Sequence, residues 1–476
     1  MKVLNDLSIQ DLKLNKKRSI VIIIGIILST ALICGVAGLV TSFQKTMVDT
    51  AKEGQGNYHT IFYNVPKDEL KYIEENREVK DYFLSEELGY SYLPNPKNVE
   101  ETPIVNVISM NDKFIENMSV KLKEGRLPEN DTELAISTRI NEKFNTNYKV
   151  GDTITLNINE TEQNMENGIP KTYKIVGIIE RPILAIESYD VDWFTAITKM
   201  QNVNKKANIA VLYNKPKDYI KNTETINNIT KTENKVNKEL LAYEGASLDD
   251  ETLKTIYGLG AFIIGIVLVS SVFVIRNGFE ISITERLKQY GMLSSIGATK
   301  KQIKKSVYFE GFILGLIGIP LGILSGVFAI YVLVNVVNYI LKDYVSKGTL
   351  LTFSISWIAI AISVFVAIVT IWLSCKKSAK KASKVSPIEA IRNSEDVKLK
   401  AKKVKCPKII TKVFKTGGEI AYKNLKRSRK KYRTTVISII VSIVIFISIS
   451  SFIQYGFKMS EAYYTEMNYN YMVFMQ

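Results

Sequence analysis

From Ser19 to Gln44 the chain carries no charge, reading SIVIIIGIILSTALICGVAGLVTSFQ. At about 1.5 Å per residue a helix of this length crosses the roughly 30 Å hydrocarbon core of a bilayer. Lys16, Lys17 and Arg18 precede it, which fits a signal peptide or a retained span. The length of the apolar run and its wealth of β-branched residues favour the retained span. Further apolar runs extend from Thr255 to Ile275, Ser306 to Leu341, Gly348 to Cys375 and Thr434 to Phe457. An ordinary soluble enzyme is excluded, and about five transmembrane helices are expected.

The third run is longer than a membrane needs, and its one charge, Glu310, lies near its start. A carboxylate is costly at the bilayer centre, so this helix is expected to tilt or to extend into the cytoplasm. Trp357 and Trp372 stand as interface anchors for the fourth. Basic flanks fall at Lys13 to Arg18, Arg276 to Lys305 and after Cys375. The positive-inside rule places all three on one side only if the N-terminus is cytoplasmic. The expected protein is a multi-pass cell-membrane protein, with residues 44–253 outside.

The net charge of +16 invites a nucleic-acid reading until its location is considered. Residues 43–252 hold 26 Lys+Arg against 35 Asp+Glu, a net of −9, whereas residues 375–434 hold 21 against 4, a net of +17. A basic stretch between apolar runs reads as a cytoplasmic loop at an anionic leaflet, with membrane lipid as its partner and no nucleic acid. Cys34, Cys375 and Cys406 all lie outside the acidic region, and His59 is the chain's only histidine. The outer domain therefore folds without disulfides, and neither a Cys/His metal cluster nor a histidine-based triad is expected there. Its acidic residues are dispersed, as on a solvated surface, rather than paired for glycoside chemistry.

Residues 43–252 mix two periodicities, which predicts an α+β domain between the first two spans. Strands are expected at Ile104–Ser109, Leu134–Ser137, Thr153–Ile158, Tyr173–Ile179 and Asn208–Tyr213. Helices are expected at Lys67–Asn76, Ile220–Thr230 and Glu233–Tyr243. Val150-Gly151-Asp152 reads as a turn, with Gly151 free to adopt positive φ.

LKLNKKRS from Leu12 and LKRSRKKY from Leu425 each precede an Ile/Val-rich span. Two similar basic-to-apolar junctions arise by chance or mark a repeat. If they mark a repeat, the fifth span opens a second copy whose outer domain begins after residue 458. The expected division is then 1–18 cytoplasmic, 19–43 first span, 44–253 outer domain, 255–275 second span, 276–305 cytoplasmic, 306–341 third span, 350–374 fourth span, 375–433 basic linker, 434–457 fifth span, and 458–476 the start of a second outer domain.

Between the second and third spans, FEISITERLKQYGMLSSIGATKKQIKKSVYFEGFILGLIGIPLG runs from Phe279 to Gly322. It predicts an amphipathic cytoplasmic helix with Glu285, Arg286 and Lys288 on its polar side, broken at Gly297. Thr299 is placed to cap the next helix. Such a hairpin either rests on the lipid surface or docks a protein. The third span carries glycines at 311, 315, 318, 322 and 326, whose spacing permits close helix approach, either within the bundle or to another subunit. Pro320 is expected to kink it.

This junction resembles that of the FtsX-like ABC transporter permeases through Glu285, Arg286, Gln289, Gly291, Leu293, Ile296, Gly297, Ala298, Gln302, Ile303 and Glu310. Ala382, Ser386, Pro387, Ile388, Glu389, Ala390 and Arg392 resemble the family's ending after the fourth span. GRLPENDTELAIS from Gly125, VGDTITL from Val150 and YKIVGII from Tyr173 resemble the external core domain of MacB-type permeases. The matches occur in the family's order over most of residues 1–395. The fifth span departs from the four-span pattern and resembles the front half of a two-repeat Gram-positive permease, or its split version.

The resemblance implies a non-enzymatic permease subunit with no cofactor of its own. No G-x-x-x-x-G-K-(S/T) loop occurs, so ATP is expected on a partner ATPase subunit. Glu285, Arg286, Lys288, Gln289, Gly291, Leu293, Ile296, Gly297 and Ala298 would form the coupling element, with Arg286 and Lys288 as contacts and Gly297 as hinge. Gly311, Gly315, Gly318 and Gly322 would pack helices, and a second permease half or a homodimer partner is expected. ATP-driven closure would move the outer domain to export a peptide, a lipid or lipoprotein, or an antibiotic. The alternatives are a regulator of an external cell-wall hydrolase, a sensor of antimicrobial peptides, or, outside the family, a ligand receptor whose lysines bind lipid.

Overall fold

The structure is a computed structural model. It describes residues 2–94, 103–144, 146–161, 167–183, 185–187, 193–246, 251–342, 350–385, 406–427 and scattered positions from 436 to 458. Two compact units divide it: residues 1–41, 258–335 and 353–476 in one, and 42–257 with 336–352 in the other.

The first unit is helical. α1 spans Lys2–Leu14 and α2 spans Lys16–Gln55, whose later residues belong to the second unit. After the outer domain come α8 (Glu251–Glu285), α9 (Leu287–Ser295), α10 (Lys300–Leu341), α11 (Trp357–Ala382) and α12 (Lys408–Arg427). Among the described residues four helices are long and apolar enough to cross a membrane: Lys16–Gln55, Leu253–Glu285, Lys300–Ile340 and Trp357–Ala382. The expected fifth span at 434–457 lies mostly outside the described residues; its described positions, such as Val436, Ile440 and Phe446, are helical.

The helices do not keep to the limits of the apolar runs. α8 continues past Ile275 to Glu285, and α10 begins at Lys300. Residues 350–356 are not helical, because Ser356 caps α11 by accepting the Ile358 N–H at 3.1 Å. The bundle core is built from Ile22, Ile26, Ile275, Phe279, Leu314, Ile371 and Cys375. The segment expected as a plain basic linker contains α12, which has non-helical backbone at Lys415.

The second unit is a ten-stranded mixed sheet. Its strands are β1 (Thr60–Pro66), β2 (Val79–Tyr92), β3 (Ile104–Met110), β4 (Leu122–Gly125), β5 (Glu133–Ser137), β6 (Thr153–Ile158), β7 (Ile169–Ile179), β8 (Trp193–Lys199), β9 (Lys206–Tyr213) and β10 (Asn234–Val236). They lie in the order β10-β1-β9-β2-β3-β8-β5-β7-β4, with β6 paired to β7. The β3–β8 and β5–β7 pairs are parallel and the others antiparallel. Helices α3 (Lys67–Glu74), α4 (Asp112–Asn117), α5 (Thr138–Phe144), α6 (Tyr219–Thr230) and α7 (Lys238–Tyr243) complete it.

Both faces of the central strands are covered. Leu70 and Ile73 of α3 and Ile226 of α6 pack on Phe62, Ile209 and Val211. Phe114 and Ile115 of α4 pack on Phe83, Ile108 and Ala210. A third core gathers Val105, Leu134, Ile154, Tyr173 and Phe194. Each fully buried aliphatic side chain contributes about 1.5–3 kcal/mol relative to exposure.

The five expected strands are present, but the helix expected at Glu233–Tyr243 begins only at Lys238, as α7. Asn234–Val236 instead pairs with Thr60–Phe62 as β10. Asn237 then caps α7 by accepting the Leu240 N–H at 3.1 Å. The open edge of β1 outweighs the helical pattern here, and the Asn that suits a cap sets the boundary.

Candidate functional site

α9 owes its limits to short-range chemistry. It stops in a Schellman motif: the Ala298 N–H donates to Leu293 O at 2.9 Å, and the Gly297 N–H donates to Ser294 O at 3.2 Å. Gly297 holds φ at +103, where an L side chain is strained. α10 opens with a capping box, in which the Thr299 N–H donates to Gln302 Oε1 at 2.8 Å and the Gln302 N–H to Thr299 Oγ1 at 3.3 Å. Leu293, Gly297, Ala298 and Gln302 thus form a hydrogen-bonded helix-to-helix turn at the expected hinge position Gly297.

The faces of α9 are sorted sharply. Tyr290 and Gly291 are buried, and Tyr290 packs with Ile283, Ile303 and Val307. Leu287, Leu293 and Ala298 pack partly against the same cluster. Lys288 and Gln289 are exposed, and so are two apolar side chains, Met292 at 44% and Ile296 at 85%. Glu285 is also exposed and pairs with Arg18 at the start of α2.

Arg286 does not face outward. It is 7% exposed, and its guanidinium donates to both oxygens of Glu310 at 2.8 Å and to Asp11 Oδ2 at 2.6 Å. Nε donates to Gln289 Oε1 at 3.2 Å, and the guanidinium lies 5.2 Å from the centre of the Tyr290 ring. Glu310 is 2% exposed, which explains how α10 tolerates a carboxylate roughly 15 Å from its start: Arg286 neutralises it. Burial, reinforced by the Glu310 charge, pushes the Tyr290 hydroxyl well above its ordinary pKa. Ser8 and Ser306, 2.7 Å apart, join α1 to α10 beside this cluster. A void of about 10 Å³ bordered by Asp11, Arg18, Arg286 and Glu310 has room for about one water.

The expected contact residue Arg286 is therefore an internal brace tying α1, α9 and α10 together. Asp11, Ser8 and Tyr290 were absent from the sequence-based site. The sequence signal for Asp11 is slight: it is one of two acids, with Asp6, ahead of the basic cluster.

The glycines of α10 face two neighbours in the same chain. A Cβ at Gly311 would lie 2.6 Å from Cys375 Sγ, and one at Gly315 2.8 Å from Ile371 Cδ1, both on α11. A Cβ at Gly318 would lie 2.6 Å from Ile26 Cγ2, and one at Gly322 2.6 Å from Thr30 Cβ, both on α2. Pro320 stands between Gly318 and Gly322, inside the helix.

The third external motif, from Tyr173, is the body of β7, and the other two clasp it. The Arg126 N–H donates to Val176 O at 2.9 Å, the Gly151 N–H to Ile175 O at 2.8 Å, and the Ile175 N–H to Asp152 O at 2.8 Å. A Cβ at Gly125 would come within 2.3 Å of Val176 O. Arg126 pairs with Glu133, which also accepts the Glu129 N–H at 2.9 Å; these bonds hold the Glu133 carboxyl at a pKa of about 2. The motifs shape the domain and assemble no reactive group. Of the motif that follows the fourth expected span, Ala382 is buried in the bundle, whereas Ser386, Pro387, Ile388, Glu389, Ala390 and Arg392 lie outside the described residues.

A mixed-sheet domain following the first apolar span, with three further membrane-length helices behind it, defines a polytopic membrane protein of the permease type. Residues 19–229 match the MacB-like periplasmic core domain, and residues 261–387 match the FtsX-like permease C-terminal domain. The chain belongs to the FtsX-like ABC transporter permeases. It is 22% identical over 332 residues to the ABC transporter permease YtrF of Bacillus subtilis (strain 168), covering 60% of this chain and 73% of that protein. Among solved structures, the extracellular domain of the noncanonic ABC-type transporter YknZ from Gram-positive bacteria is similar, at 13% identity, 38% of this chain, 99% of that chain and a TM-score of 0.26. The periplasmic region of MacB from Actinobacillus actinomycetemcomitans is similar at 8% identity, 42% of this chain, 98% of that chain and a TM-score of 0.26.

Proposed function

We propose that this permease couples ATP hydrolysis on a separate ABC ATPase subunit to movement of its outer domain, and that α9 receives the ATPase. The observation that carries the reading is the two-sided character of α9. Its inner face is fixed by Tyr290 and by Arg286, while Met292 and Ile296 present apolar surface outward between Lys288 and Gln289. An exposed apolar pair with a polar rim is the usual make-up of a docking point. Because Arg286 joins α9 to α1 and α10, a push on α9 is delivered to two other helices rather than absorbed locally.

In this reading the N-terminus and α9 are cytoplasmic, ATP is bound by the partner alone, and the chain itself is not catalytic. A second permease half or a second copy completes the transporter. The cargo is a peptide, a lipid or lipoprotein, or an antibiotic.

The test uses the bundle's own geometry. A Cβ at Gly260 on α8 would lie 2.8 Å from Val40 Cγ2 on α2, so Val40→Cys with Gly260→Cys should form a crosslink between the first two spans. Oxidation should slow ATP hydrolysis by the reconstituted complex, and reduction should restore it. Unchanged hydrolysis in the fully crosslinked complex would reject motion of these spans as the coupled step.

A further inference from the structure

An open groove of about 610 Å³ runs between α10 and α11, a size common among small-molecule sites. Its lining is uncharged, from Tyr308 through Phe312, Leu316 and Ile319 on α10 to Ile368 and Trp372 on α11. Phe312, Leu316, Ile368 and Trp372 are all more than half exposed, so the groove opens outward from the bundle at membrane depth.

Its basic end is distinctive. Lys301, Lys304 and Lys305 precede Tyr308 by seven, four and three residues and therefore share its face of α10. All three are exposed. Across the groove Lys376 follows Trp372 by one turn, and its Nζ lies 5.1 Å from the Trp372 ring centre. None of these four lysines has a carboxylate partner among the described residues. The nearby acids are engaged elsewhere: Glu310 with Arg286, and Glu280 with Lys381.

We propose that this groove holds one acyl chain of an anionic phospholipid, whose phosphate is bound by the lysines of α10 and by Lys376. The charge pattern selects this occupant over a second apolar helix, which would leave the four ammonium groups without a counter-charge. Tyr308 adds a hydroxyl at the same end, and Trp372 forms the wall where the acyl chain meets the headgroup. The site is independent of whether α9 docks an ATPase.

Trp372 provides the reporter. In the full-length chain carrying Trp193→Phe and Trp357→Phe it is the only tryptophan. Phosphatidylcholine vesicles would contain increasing fractions of either phosphatidylglycerol or phosphatidylcholine with brominated acyl chains, which quench tryptophan on contact. Half-maximal quenching of Trp372 should need roughly fivefold less brominated phosphatidylglycerol than brominated phosphatidylcholine. Lys304→Gln with Lys305→Gln and Lys376→Gln should abolish that preference, and because these side chains are exposed the fold should be retained. A chain retaining Trp357 alone, at the other end of α11, should show no preference. Equal quenching by the two lipids, a preference that survives the lysine substitutions, or no quenching at all would overturn the assignment, the last pointing to a protein helix in the groove.

Discussion

Replacing Arg286 with Met should be among the most destabilising single changes in the helical unit. The substitution leaves Glu310, with a side chain 3% exposed, and Asp11, with one 15% exposed, without their shared cation. Removing one partner of a buried ion pair costs about 3–5 kcal/mol, because the remaining charge stays buried. Glu310→Met alone should cost about the same by stranding Arg286, partly relieved by Asp11. In the double variant only Asp11 is left, and it is the most exposed of the three. The double change should therefore cost less than the sum of the singles, with a coupling of about 2 kcal/mol or more. Cys34 and Cys375 are buried and Cys406 is not, so in a Cys406→Ser background a thiol-reactive dye reports opening of the bundle on heating. At roughly 2–4 °C per kcal/mol, Arg286→Met should lower the midpoint by about 6–20 °C, with partial recovery in the double variant. A midpoint unchanged by Arg286→Met, or strictly additive losses, would refute the brace.

The other predictions concern the turn, the glycine contacts and the outer domain. Gly297→Val should destabilise the α9–α10 turn by about 1–2 kcal/mol through φ strain alone, visible as faster amide exchange at Gly297 and Ala298. Gly322→Leu should disrupt the bundle, since even a Cβ there would meet Thr30 Cβ at 2.6 Å; the thiol assay should show Cys34 reactive at lower temperature. Ile73→Ala should cost the outer domain about 2–5 kcal/mol in denaturant unfolding, because the side chain is fully buried. Glu133, held near pKa 2 when folded against an ordinary 4.5, contributes stability that is complete above pH 4.5 and lost as the pH falls towards 2. That contribution should be about 1 kcal/mol or less, given the exposed guanidinium. Arg126→Ala should reduce this part of the acid sensitivity, leaving the share due to the Glu129 N–H, measured as proteolytic nicking between β4 and β5.

Much of this architecture was legible in the sequence, for identifiable reasons. Long charge-free runs declare spans directly, and β3, β6, β7 and β9 carry clustered or alternating β-branched residues, while β5 shows as a short apolar run. β2 was hidden because Glu86 and Glu87 interrupt its apolar pattern. Glu86 is nevertheless buried, accepting from Asn204 N and Nδ2 at 3.2 Å each, a partnership more than a hundred residues away that no local window reports. β1 was hidden because its partners, β9 and β10, both come much later in the chain.

At the candidate site, the motif from Glu285 to Ala298 was readable, but its division of labour was not. Periodicity put Arg286 with the polar residues of an amphipathic helix, whereas Asp11 and Glu310 draw it inward. Those partners stand 275 and 24 residues away. The break expected at Gly297 is present, and hydrogen bonding to Leu293 O and Ser294 O makes it a defined stop. The outward exposure of Met292 and Ile296 depends on which side Tyr290 takes, and that is settled by tertiary packing on Ile303 and Val307.

The most direct measurement is photo-crosslinking from position 296 in native membranes. A photoreactive amino acid would replace Ile296 in the full-length chain, and adducts would be identified by mass spectrometry, with the same substitution at the buried Tyr290 as control. The account predicts an ABC ATPase subunit as the dominant adduct at 296 and none at 290. Adducts at 296 to lipid alone, with the transporter's ATPase present in the same membranes, would contradict it.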